Sequence, residues 1–168
     1  MSEATRRIVT GHLADGRSVV LFDGPVPHTR SLPGARFDEV WSVDSAPAVL
    51  GLAPAAEPTS ASPQIALGSG EGHLIRVIEF APAGAGGVRS PMHRTRTIDY
   101  GIVLEGEVVL ILSDSEVVLR AGDVVVQRGT DHAWENRTDK MATMVFILLD
   151  AEFDAKLSKL VAGQDLMS

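Results

Sequence analysis

Two histidines and an aspartate in the C-terminal half of the chain, His93, His132 and Asp99, are the side chains best suited to chemistry. Imidazole titrates near neutral pH and serves as general acid, general base or metal ligand, while a nearby carboxylate orients it, exchanges a proton with it or completes a ligand set. There is no cysteine, which removes disulfides, thiolate nucleophiles and Cys-ligated zinc and leaves nitrogen and oxygen to hold any metal. No phosphate loop, nucleophile elbow or Ser-His-Asp order stands in the sequence, so nucleotide-dependent and triad chemistry has no support.

Around these three stand residues of secondary interest. Thr95 shares the face of His93 if that strand is regular, and with Tyr100 it offers a hydroxyl to a substrate. Gln127 is a further substrate-binding candidate, and Trp134, two residues past His132, is expected in the core or as a wall of the pocket. Arg94 and Arg96 alternate with Thr95 and read as exterior, and Arg128 reads as a solvated turn residue. Asn136 is expected to close a turn on its own backbone. His12, His28 and His73 sit among turn residues with no partner at ligand spacing and read as surface histidines.

The elements that must position these residues are mostly strands. Ile8-Val9 and Ser18–Phe22 flank the turn signal Asp15-Gly16 and predict an opening hairpin. Gly24–Pro33, with three prolines, reads as loop; Glu39–Val43 reads as a strand, and Ala53–Pro63 as a surface loop. From Leu74 the β-type runs come close together: Leu74–Phe80, Ile98–Leu104, Glu107–Leu112, Glu116–Leu119, Asp123–Gln127 and Ala142–Leu149. Gly, Asp and Ser punctuate them, and no helical period intervenes, so the expectation is an all-β antiparallel sandwich or barrel. A helical period appears only at Phe153, Leu157, Leu160 and Val161, with Gly163 to stop it and the outside of the barrel to pack on.

The 168 residues fit one domain, and 45% hydrophobic content is enough for a core. A formal charge of −7 gives no general attraction for nucleic acid or anionic membranes. The first residues lack a signal-type apolar region and no stretch is long enough to span a bilayer, so the cytoplasm is the simplest address.

Two segments resemble the paired signatures of the cupin superfamily. Gly87, His93, Asp99 and Gly106 fall at the family's first-motif positions, with Thr95 where a second histidine usually stands. Gly122-Asp123, Gly129, His132 and Asn136 follow the second, with Gln127 or Arg128 replacing its proline and one residue fewer than the commonest spacing. The resemblance spans roughly residues 74–149. It implies a double-stranded β-helix (jelly-roll) barrel over 64–150, with an N-terminal extension of strands and loop over 1–63 packing on it and a C-terminal helix and tail over 151–168.

It also implies a divalent metal, Fe, Mn, Ni or Zn, held in the barrel by His93, Asp99 and His132, and a small-molecule lyase, isomerase or dioxygenase reaction. Aspartate is one methylene shorter than the usual glutamate. Two rivals stand beside that reading: metal-free acid–base chemistry by the same residues, and a module that binds a small ligand without turning it over. A homodimer is expected as well, with the strands of residues 5–43 pairing against a second subunit.

Overall fold

The computed structural model describes residues 3–43, 45, 47, 48, 50, 51 and 72–162. The chain opens with a hairpin, β1 (Arg6–His12) and β2 (Ser18–Pro25), joined through Gly16 at a φ of 83° and paired only with each other. Then come β3 (His28–Leu32), β4 (Ala35–Val43), β5 (His73–Phe80), β6 (Thr97–Glu105) and β7 (Glu107–Ile111). They are followed by β8 (Glu116–Arg120), β9 (Val124–Arg128), β10 (Ala133–Glu135), β11 (Ala142–Asp150) and one helix, α1 (Ala155–Val161).

Nine of these strands form two antiparallel sheets, the opening hairpin counted apart: the larger, in the order β3-β4-β5-β11-β6-β9, lies against the smaller, β10-β7-β8. The alternation of side chains explains why they face each other. In β5, Leu74, Arg76, Ile78 and Phe80 are buried while the residues between are half-exposed, and β11 repeats the pattern with Ala142, Met144, Phe146 and Leu148. Those inward rows meet Val108, Leu110, Leu119 and Trp134 from the smaller sheet in one core. Gly106 makes the β6–β7 turn possible: its φ is 77°, and a Cβ there would stand 2.7 Å from the Met141 carbonyl oxygen. This is the all-β antiparallel architecture expected from the strand spacing, and the jelly-roll barrel that the cupin resemblance implied.

Three expectations change. The proline-rich stretch holds a strand, β3, between Pro27 and Pro33, which lie outside it and cost the ladder no donor. Strands β3 and β4 pair within the chain, β4 lying along β5 from Ala35↔Phe80 to Val43↔His73, so they are not available whole to a second subunit. Helix α1 forms with Asp154 as its N-cap but buries none of its residues, and Leu160 is 69% exposed. Ala53–Pro63 and Gly163 lie outside the described residues. Among the described residues no helix is long and apolar enough to cross a membrane.

Candidate functional site

A cavity of about 470 Å³ opens between the two sheets. Most of its wall is apolar, including Phe37, Ile78, Trp134, Phe146 and Leu148, and the polar groups on it include Arg76, His93, Thr95, Asp99, Gln127 and His132. A few convergent polar groups in an apolar pocket is the usual composition of a small-molecule site.

The two histidines come together because their backbones pair. His93 and His132 form an isolated antiparallel bridge, each amide N–H donating to the other's carbonyl at 2.9 Å. The rings lie 4.2 Å apart between centroids, tilted by 55°. His93 Nδ1 lies 2.9 Å from the Pro91 carbonyl oxygen, and His132 Nδ1 lies 2.9 Å from that of Thr130. A carbonyl only accepts, so each Nδ1 carries the proton and donates it. Each Nε2 is then left with a lone pair. Burial and the neighbouring His93 lower the His132 pKa from 6.5 to about 4, so its ring is neutral at physiological pH.

Asp99 comes from β6, second in the inward row Thr97, Asp99, Gly101 and Val103, and is 4% exposed. Burial raises its pKa above the ordinary carboxylate value, opposed by the Thr97 and Thr95 hydroxyls, Arg76 and His93. Thr95 is buried too, its hydroxyl accepting from Thr97 Oγ1 at 2.6 Å. Gln127 faces Asp99 across the β6–β9 register. Trp134 fills both expected roles, packing edge-on to Phe146 at 5.3 Å in the core while lining the cavity beside His132.

Two sequence expectations fail here. Tyr100 belongs to the outer face of β6: it is 39% exposed and does not line the cavity, because it follows Asp99 directly and strand side chains alternate. Arg94 is only 4% exposed and ion-paired to Asp131; its segment is a short bridge and not a regular strand, so alternation did not apply. Arg96 and Arg128 are exposed as expected, and Asn136 closes its turn by accepting from the Thr138 N–H at 2.9 Å. Its amide also donates to the Phe80 carbonyl at 3.1 Å, 56 positions away. His12, His28 and His73 lie in strands, not turns, none of them at the cavity.

Sequence reasoning missed Arg76. A lone arginine in a strand gives no signal, yet it is 3% exposed on the cavity wall, paired to Glu39 at 3.2 Å and 5.8 Å from the Phe37 ring centre. The only available hint was a charge placed at an inward position of β5.

Among the described residues no three His, Cys, Asp or Glu side chains stand together as a group able to hold an ion. The imidazole pair alone has the right chemistry, two lone-pair nitrogens with each Nδ1–H anchored on a carbonyl.

Sequence comparison finds relatives along most of the chain. The pattern described as "Cupin domain" matches residues 77–148. Phomopsin biosynthesis cluster protein C' of Diaporthe leptostromiformis is 37% identical across 94% of this chain and 86% of its own length. The cupin-domain-containing oxidoreductase fogC of Aspergillus ruber is also 37% identical, across 86% of this chain and 71% of its own. Among solved structures, a Cupin 2 conserved barrel domain protein from Salinispora arenicola is 20% identical with a TM-score of 0.47, covering 82% of this chain and 91% of that one. With such identity carried over nearly its whole length, the chain belongs to the cupin family.

Proposed function

We propose that the cavity is the reaction site of a cupin-type enzyme that moves protons on a small, largely apolar, oxygenated molecule. The observation that carries this reading is the His93–His132 pair: two imidazoles in contact, each with Nδ1 committed to the backbone and Nε2 left for a ligand, on the wall of an apolar cavity. His93, the less buried ring, takes a proton from a substrate carbon or hydroxyl. Neutral His132 accepts a hydrogen bond from a second substrate group through Nε2. Asp99, a buried carboxylate on the same wall, accepts a hydrogen bond from a substrate hydroxyl or takes its proton. Dehydration, isomerisation and decarboxylation all use these transfers.

Relatives named cupin-domain-containing oxidoreductases support the enzyme class. A redox outcome would need an electron acceptor bound in the cavity, since these side chains supply only proton transfer. The anchored Nδ1 atoms favour one second reading, a divalent ion (Fe, Mn, Ni or Zn) on the imidazole pair.

Deuterium uptake separates the two. Phenylacetaldehyde and phenylacetone, incubated in D₂O with protein dialysed against chelator, are expected to gain deuterium beside the carbonyl, with the rate falling about a hundredfold in His93→Ala. Loss of uptake on chelation, restored by one divalent ion, would overturn the metal-independent reading; no uptake with either probe would remove proton abstraction from carbon. A homodimer belongs to this proposal as well. Its support is the outer face of β6 and β9, where Tyr100, Leu104, Val124 and Val126 are exposed.

A further inference from the structure

One wall of the cavity carries three polar atoms that the protein itself does not use. Asp99 and Gln127 stand opposite each other on β6 and β9, are 4% and 3% exposed, and both line the cavity. Among the described residues, Asp99 Oδ1, Gln127 Oε1 and Gln127 Nε2 have no hydrogen-bond partner. Buried polar atoms are nearly always paired, because an unmade bond forfeits their hydration. A glutamine with both ends of its amide unpaired contributes nothing to folding that a leucine of similar size would not. Side chains directly opposite on antiparallel strands have Cβ atoms about 5 Å apart, so one ligand group can reach both.

The chemistry of the missing partner follows from the inventory. Two oxygens and one amide nitrogen call for a group with two donors beside one acceptor. A primary carboxamide is that group: its two N–H bonds go to Asp99 Oδ1 and Gln127 Oε1, and its carbonyl accepts from Gln127 Nε2. An ester or ketone would satisfy Nε2 alone, and a carboxylate would bring no donor and set its charge against Asp99. Phe37, Trp134 and Phe146 on the remaining wall require the body of the ligand to be apolar. We infer that Asp99 and Gln127 are the specificity-determining end of the cavity, selecting an uncharged ligand that carries a primary carboxamide on an apolar ring.

This inference rests on the cavity being the reaction site, but its test reads binding alone, so its failure and a failure to find turnover are separate results. Titration calorimetry with 2-naphthamide, methyl 2-naphthoate and 2-naphthoate is expected to show the amide bound at least about tenfold more tightly than either of the others. In Gln127→Leu the preference disappears, the ester stays within about twofold of wild type, and the ligand-free protein melts no lower than wild type. Should that variant not fold, Gln127→Glu keeps the shape, lacks the Nε2 donor, and is likewise expected to lose the preference. Failure of all three probes to bind, equal affinities, or a preference that survives in the Gln127 variant overturns the inference. So does a lower melting temperature of Gln127→Leu with selectivity unchanged, which would make the glutamine a hydrated structural group.

Discussion

His132 and Asp99 pull stability in opposite directions as pH changes. The folded His132 pKa of about 4 lies below its ordinary 6.5, so the unfolded chain binds the extra proton between those values. Its contribution is fully present above pH 6.5 and is lost as pH falls toward 4, amounting to at most roughly 3 kcal/mol. For Asp99 the folded pKa is raised, so its contribution is present below the ordinary carboxylate value and is lost as pH rises through the folded one. Urea unfolding from pH 7.5 to 4.5 is therefore expected to show a decline toward acid in the wild-type protein that is reduced in His132→Gln. Asp99→Asn is expected to raise the unfolding free energy at pH 7.5 by about 1 kcal/mol, since it removes a buried charge; a loss of stability there would mean the carboxylate is held by bonds that an amide cannot replace.

At the scale of elements, the opening hairpin is tied to the barrel through Asp38 of β4, a carboxylate only 1% exposed. It accepts from the Thr5 N–H at 2.7 Å, the Thr5 hydroxyl at 2.8 Å and the Thr29 hydroxyl at 2.8 Å, and faces Arg36 at 3.0 Å. Asp38→Ala leaves these donors without their acceptor and is expected to cost about 3 kcal/mol, read by chemical denaturation, with faster amide exchange in β1 and β3. The β3–β4 turn is equally constrained. Gly34 has a φ of 78°, and a Cβ on it would stand 2.7 Å from the Val88 backbone nitrogen. Gly34→Ala is expected to lower stability by about 1–3 kcal/mol and to weaken ligand binding, because Val88 and Pro33 both line the cavity. By contrast Leu160→Ser, on a helix that buries nothing, is expected to change stability by no more than about 0.5 kcal/mol.

For the whole molecule, the larger sheet ends in β9, an edge strand whose outer face continues the apolar surface of β6. Val124 is 61% and Val126 54% exposed there, and an open edge beside such a surface favours association. Sedimentation velocity across a concentration series is expected to give a dimer that Val126→Lys weakens; a monomer at every concentration would leave that face without a partner of its own kind. Trp134 joins the two sheets and also walls the cavity, so Trp134→Ala is expected to cost about 3–5 kcal/mol in denaturation and to alter binding together with stability.

The sequence by itself determined the strand architecture and the identity of the histidine pair. Alternation of apolar residues and the placing of glycines such as Gly106 are local properties, and they set which side of β5, β6 and β11 faces inward; the motif spacing then singled out His93, Asp99 and His132. What only the tertiary structure decided was which of these side chains meet. The contact of His93 with His132 and the facing of Asp99 by Gln127 depend on register between strands distant in the chain, which no local pattern encodes. The same reason hid Arg76, whose inward position acquires meaning only beside Glu39 on β4. Tyr100 was legible in principle, since it directly follows Asp99; two adjacent strand residues cannot both face the lumen, and the barrel gave the inward place to the carboxylate.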